Sequence, residues 1–376
     1  MKPLDAGTRA DASAVDALPD ILTLQPSISI APGLYFTCAL RTGGTIKCWG
    51  YGANGTLGNG GTGDSTTPVD VSSLSGALSI GAGVYDAFAI RADSSVLAWG
   101  NDYQGELGDG AHLAQSDVPV VVPETAKVVQ ISAGETPCAL LANTTVVCWG
   151  NIPTANNAPP TPVAGLYGVA SIAPRSVGFE CVAMNDGTVR CWGMDYAGQL
   201  GDGHSGNGAR SDVPVAVLGL NGVQAVALGA ATSCALLSDR TVWCWGSNNK
   251  GVLGAGTATA LSLTPIQVSG LSDVTSLSAA NYTACATLAS GLIKCWGDNS
   301  FGELGNGSTT DSSTPVAVLN VTTAGFVAVG DDHVCAQLAD GSYVCWGGNK
   351  NGGLGSITTT QCPQGPCSTT PLVVSP

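Results

Sequence analysis

The chain has 376 residues, 44% hydrophobic but only 11% charged, and a formal net charge of −14 with 13 Lys and Arg. That balance argues against nucleic acid and against anionic membranes, both of which need clustered basic residues. The apolar residues never run to the ~20 that a spanning helix needs; they lie instead in short segments with the look of strands.

Residues 1–18, rich in Ala and Asp, read as a flexible tail, and Met1-Lys2-Pro3 opens no apolar signal segment. From residue 19 to 376 the chain is repetitive. Trp-Gly recurs at Trp49, Trp99, Trp149, Trp192, Trp245, Trp296 and Trp346, at intervals of 50, 50, 43, 53, 51 and 50 residues. A fixed period in this range marks a repeat architecture. The units are expected at about 27–75, 76–125, 126–168, 169–221, 222–272, 273–323 and 324–376.

Each unit reads as four strands. The first is short and ends near Gly, as in Ile80-Gly81-Ala82-Gly83, where small residues imply close backbone approach. Next comes a hairpin whose turn, such as Asn185-Asp186-Gly187, has Gly at the position suited to a left-handed residue. Trp-Gly follows, and then Leu-Gly eight residues on, as at Leu57-Gly58 and Leu304-Gly305. These pairs are expected to be packing devices between units. Only the third unit departs, with Asn157-Ala158 in a shortened loop. A Pro-led strand such as Thr67-Pro68-Val69 closes the unit at its edge. Four strands repeated seven times give an all-β fold, a seven-bladed β-propeller of four-stranded antiparallel blades.

Cysteines stand ten residues apart across six hairpins: Cys38 and Cys48, Cys138 and Cys148, Cys181 and Cys191, Cys234 and Cys244, Cys285 and Cys295, Cys335 and Cys345. The hairpin register sets each pair on neighbouring strands, so cross-strand disulfides are expected, and not zinc, which uses closer spacings. In the second unit Phe88 and Ala98 replace both partners together, as a packed pair would. Cys362 and Cys367 are expected to close a small loop that fastens a last outer strand, Pro371 to Val374. That strand and Pro19-Asp20-Ile21-Leu22 compete for one outer position, and the anchored C-terminal strand is favoured. Paired cysteines point to an oxidising site, extracellular, periplasmic or at the cell surface, reached by a signal no longer visible in this chain.

Cys-Ala-Leu, Gly-Thr-Ile-Lys-Cys-Trp-Gly, Asn54-Gly55-Thr56-Leu57-Gly58 and Pro68-Val69 together resemble the repeat of the regulator of chromosome condensation superfamily, in its cysteine-bearing bacterial version. The resemblance covers about residues 19–376. It implies several functions: guanine-nucleotide exchange on a small GTPase, chromatin binding, or, in a secreted branch, capping of β-lactamases by one propeller face. The exchange factor relies on a basic tail and a protruding wedge. Here the tail, Asp5 to Ala12, is slightly acidic, and no unit has an insertion long enough for a wedge. Fold alone does not settle function.

In an up-and-down blade the first and third connections leave the same face. The first carries Tyr35, Tyr85 and Tyr282; the third carries Tyr51, Tyr103, Tyr196 and Phe301. Asp86, Asp102, Glu106, Glu135, Glu180, Asp195, Asp298, Glu303, Asp331 and Asp332 are expected around them. This aromatic, acidic face, with Glu106 and Glu303 among its contact residues, is expected to bind a protein or a surface glycan. No catalytic residues, metal site or cofactor are expected. His112 and His204 fall in units that are not neighbours, and the Gly-Asp-Gly runs lack a calcium loop's ligands. A non-enzymatic monomer is the expectation.

Overall fold

The computed structural model describes residues 30–376 apart from 112, 124, 126, 153, 154, 177 and 359. Seven sheets follow one another along the chain, each built on four antiparallel strands in the order inner, second, third and outer, with one short strand added to the third and one to the seventh. The first blade comprises Ile30–Pro32, Phe36–Leu40, Ile46–Gly50 and Ser65–Asp70. The seventh comprises Ala324–Val329, His333–Leu338, Tyr343–Gly348 and Gly365–Val374. The C-terminal strand thus supplies the outer position of the last blade, pairing Leu372 with Cys345. The tail, Pro19–Leu22 and His112 lie outside the described residues.

Burial follows strand order. Ile30–Pro32 is wholly buried, whereas Ser65–Asp70 has no buried residue. The inner strands crowd the axis, and glycine makes room there. A Cβ at Gly83 would lie 2.6 Å from the Gly134 nitrogen of the next blade. The ring closes by contact between blades seven and one: Ile30, Ala39 and Trp49 share a buried cluster with Cys335, Cys345 and Leu354.

The hairpin between second and third strands sets the cysteine register. In the first blade Gly44 N–H bonds to Arg41 O, Arg41 N–H bonds to Thr45 O, and Gly44 has φ +77°. Cys38 then stands directly opposite Cys48 with Cα atoms 4.0 Å apart. The same register sets Cys138 opposite Cys148, Cys181 opposite Cys191, Cys234 opposite Cys244, Cys285 opposite Cys295 and Cys335 opposite Cys345. All six hairpin pairs are disulfide-bonded, at Cα separations of 4.0–4.2 Å. In the second blade Phe88 faces Ala98 in the same register, and Phe88 meets Trp149 edge-on at 6.0 Å. A seventh disulfide, between Cys362 and Cys367, ties the short strand Gln361–Cys362 to the start of the C-terminal strand.

Candidate binding face

The first and third connections of every blade emerge on one face, and the long third connection is built by a lock between neighbours. Six of the seven indoles, all but Trp192, which follows the blade without Leu-Gly, donate to the carbonyl just before Leu in the preceding blade. Trp99 reaches Thr56 O at 3.1 Å, Trp149 Glu106 O at 2.8 Å, Trp296 Val252 O at 2.8 Å, and Trp49 closes the ring on Gly353 O at 2.8 Å. The glycine after Leu lies against the indole: a Cβ on Gly254 would come 2.7 Å from Trp296 Nε1, and its φ is +69°. Trp-Gly and Leu-Gly are therefore two halves of one inter-blade joint, and the loop they hold is displayed by a rigid frame.

The same joint explains several acids expected on the surface. Asp102 Oδ1 accepts from Leu107 N–H at 3.0 Å and Asp195 Oδ1 from Leu200 N–H at 3.1 Å, the bond that Asn248, Asn299 and Asn349 make in other blades. Glu106 and Glu303 precede Leu and cap their own loops. Glu106 accepts from Gln104 N–H at 2.7 Å and Asn101 Nδ2 at 2.8 Å; Glu303 accepts from Phe301 N–H at 2.8 Å. Gln199 does the same with Ala197 N–H at 2.9 Å without a charge. Both glutamates, expected among the contact residues, are buried at 8% and 3% exposure and brace the loops of the face. Burial pushes the Glu303 carboxyl up to about 8.

Of the aromatic residues, Tyr103 and Tyr196 stand well exposed, at 78% and 50%. Tyr35, Tyr51, Tyr85, Tyr282 and Phe301 are half-buried. The structure joins three of them into a ledge across the first two blades. Tyr35 meets Tyr51 edge-on at 6.4 Å, and Tyr51 meets Tyr85 at 5.6 Å with the rings tilted by 50°.

At the mouth of the central channel lies a polar cluster that the sequence did not disclose. The fourth blade's first connection carries Arg175–Ser176, which pairs in parallel with Ala133 and Gly134 of the third blade's inner strand. From there Arg175 crosses to the seventh blade and donates to Asp331 Oδ2 at 2.7 Å. Arg175 is buried, and its Nε and Nη1 have no hydrogen-bond partner among the described residues. Burial, and then Glu106, raise the Asp86 carboxyl well above the usual range, against the pull of Arg175. Burial likewise raises Glu180, which accepts from Ser132 Oγ at 2.7 Å.

Asp332, His333 and Thr37 form a line that spans the ring closure. His333 Nδ1 lies 2.9 Å from Asp332 Oδ1, and its Nε2 lies 2.7 Å from Thr37 Oγ1. Thr37 gives its own proton to Gly353 O at 2.8 Å, so His333 Nε2–H is the donor to Thr37. Thr37 and His333 are fully buried. The hydroxyl is spent on a carbonyl and unreachable from solvent, so this line serves closure and not nucleophilic attack.

Seven of the ten acids expected around the rings are thus buried: Asp86, Asp102, Glu106, Glu180, Asp195, Glu303 and Asp332. The face is nonetheless acidic where solvent meets it. Asp64, Asp109, Glu135, Asp202, Asp212, Asp298, Asp311 and Asp331 reach solvent, against Arg210, Lys250 and Lys350. Lys250 is bridged to Asp298 at 3.3 Å and to Asp311 at 3.0 Å. On the opposite face the connections and bordering strand ends alternate in sign, as in Lys47–Asp70 and Arg91–Asp93. Among the described residues no helix is long and apolar enough to cross a membrane, and no group of three metal-binding side chains occurs.

Two models of the regulator of chromosome condensation (RCC1) repeat match this chain, one at residues 28–56 and 223–252, the other at 93–141, 186–236, 239–287 and 290–337. Together they span more than half of the sequence. Among curated proteins it is 29% identical over 302 residues to the human E3 ubiquitin-protein ligase HERC2, covering 77% of this chain but 5% of that one. It is 29% identical over 157 residues to the Arabidopsis thaliana ultraviolet-B receptor UVR8, covering 40% of this chain and 35% of that one. Among solved structures, Prp20p of Saccharomyces cerevisiae, described with its binding to Gsp1p and histones, superposes with a TM-score of 0.77 at 21% identity, over 91% of this chain and 88% of that one. The ectodomain of the Physcomitrella patens receptor kinase CR4 superposes with a TM-score of 0.53 at 20% identity, over 90% and 76%.

Proposed function

Because this chain belongs to the regulator of chromosome condensation repeat family, we propose that it is a non-enzymatic binding propeller that presents its long-loop face to a protein or glycan partner. The observation that carries this reading is the Tyr35–Tyr51–Tyr85 ledge, three rings in contact at the solvent edge of an acidic face. Aromatic side chains gathered on a rigid surface are the usual anchors of recognition. Tyr103 and Tyr196 extend the same face outward.

The compartment we propose is an oxidising one, outside the cytoplasm. Seven disulfides use every described cysteine, and such density is rare where thiols are kept reduced. The likeness to Prp20p is one of fold. Exchange on a small GTPase would place the protein in a reducing compartment, which seven disulfides disfavour. Face-capping of another protein, as by a secreted inhibitor, uses the same surface and is a special case of the proposal.

The test pairs a thiol titration with a capture experiment. Native protein is expected to show no free thiol without reductant, and a partner captured from the native source should be lost when Tyr103, Tyr196 and Phe301 are replaced by Ala. Capture that survives in folded variants of these and of Tyr51 and Tyr85 would remove this face from consideration.

A further inference from the structure

The tyrosine ledge already holds one cation. Lys350 Nζ lies 5.6 Å from the centroid of the Tyr35 ring, inside the distance at which the negative face of an aromatic ring attracts an ammonium. Lys350 is exposed and comes from the seventh blade's third connection, so the contact bridges the last blade to the first. It covers one end of the run, and Tyr51 and Tyr85 continue it onto the second blade.

Negative charge lies beside these rings. Burial, and then Asp332 and Asp331, raise the Tyr35 hydroxyl; burial, then Tyr35, Tyr51 and Asp331, raise that of Tyr85. Asp331 keeps 14% of its side chain open to solvent while bonded to Arg175. The other exposed cations on this face are held in ion pairs away from the ledge, Lys250 by Asp298 and Asp311 and Arg210 by Asp212.

We infer that the ledge is a docking site for a basic segment of a protein partner, whose Lys or Arg side chains seat on Tyr51 and Tyr85 beside Asp331. Lys350 on Tyr35 is the intramolecular counterpart of that contact, and its charge repels a second cation on the neighbouring rings. This rests on the long-loop face being the binding surface and adds the chemistry of what it binds. A second copy of this chain would bring a like-charged face, and nucleic acid has the wrong sign at −14. A neutral glycan would also stack on the rings and bond the carboxylates through its hydroxyls, but only a cation gains from the net negative charge of the face.

The experiment measures binding of a fluorescent oligolysine peptide, and separately of a neutral oligosaccharide array, to the intact protein. The variants are Tyr51→Leu/Tyr85→Leu, which keeps apolar bulk and removes the ring quadrupole, Lys350→Met, and Tyr167→Ala on the opposite face. The wild type is expected to bind the peptide, more weakly as salt rises from about 0.05 M to about 0.3 M. The double Leu variant should weaken it about tenfold, as expected for two ring–cation contacts. Lys350→Met should tighten it several-fold, and Tyr167→Ala should leave it unchanged.

No peptide binding by the wild type, peptide binding indifferent to the double Leu variant, or weakening by Lys350→Met would each overturn the inference. Oligosaccharide binding that needs Tyr51 and Tyr85, without peptide binding, would overturn the basic partner while leaving the face intact. Binding of either probe that ignores every substitution on this face would overturn both. If the double Leu variant fails to fold, Lys350→Met alone decides the sign.

Discussion

Arg175 of the fourth blade donates to Asp331 of the seventh at 2.7 Å, with 6% and 14% of the two side chains exposed. The pair joins blades that are three apart around the ring. Removing one member of a buried pair leaves the other charge uncompensated, at a cost of roughly 3–5 kcal/mol. Asp331 keeps a path to solvent, so Arg175→Ala should destabilise the protein by less than that, about 1–3 kcal/mol, in non-reducing denaturant titrations. Replacing both with apolar residues of similar size should cost less than either single change. A double variant as unstable as the sum of the two single variants would show that they act independently.

The Leu-Gly joint makes a graded prediction. Gly305 has φ +60°, and a Cβ there would lie 2.8 Å from Trp346 Nε1; Gly341 has φ +84° with nothing within 4 Å of its added Cβ. Gly341→Ala should cost about 1–2 kcal/mol, the left-handed penalty alone. Gly305→Ala should cost a further 1–3 kcal/mol or so for overpacking against the indole. Thermal midpoints of the two variants check the order, and equal losses would contradict the joint.

Phe88 and Ala98 occupy the one hairpin register without a disulfide. Phe88→Cys with Ala98→Cys should form the missing bond, visible as no gain in free thiols. The crosslink contributes about 2–3 kcal/mol, but the buried ring removed against Trp149 costs roughly 3–5 kcal/mol. The variant is expected to be oxidised and yet slightly less stable. A clear gain in stability would mean that Phe88 contributes little to packing.

Glu303 titrates in the folded protein at about 8, against 4.5 for the free side chain, chiefly because it is buried. A carboxyl with a raised folded pKa contributes fully below the unfolded value and loses that contribution as pH rises through the folded one. Stability should fall between pH 4.5 and about 8, by up to a few kcal/mol from this group. Glu303→Gln, which copies Gln199, should flatten that slope: near-identical stability at pH 4 and a more stable variant above pH 8. Parallel pH profiles would exclude Glu303 as the source.

The seven blades, the hairpin register and the role of Trp-Gly could all be read from residue spacing, because each is repeated and each rests on local chemistry. Burial of the acids could not be read in the same way. An Asp in a loop looks solvated until its five-residue partner is known. The available signal was substitution between equivalent positions: Asn248, Asn299 and Asn349 stand where Asp102 and Asp195 do, and Gln199 where Glu106 and Glu303 do. Charge that is exchanged for amide in this way is holding a loop. Arg175 was missed because it belongs to no repeated position. Its trace was length: six residues separate Ile172 from Phe179, where three separate Pro32 from Phe36. The ledge was half legible. Topology put Tyr35, Tyr51 and Tyr85 on one face, but only the structure brings their rings together and sets Lys350 over one of them.

Hydrogen–deuterium exchange of the intact protein with and without the oligolysine peptide tests the binding face most directly. Protection is expected in residues 33–35, 51–64 and 83–85, with none in the opposite-face hairpins at 41–45 and 92–95 or the connector at 163–168. Protection centred on those hairpins, or spread evenly over both faces, would contradict the account.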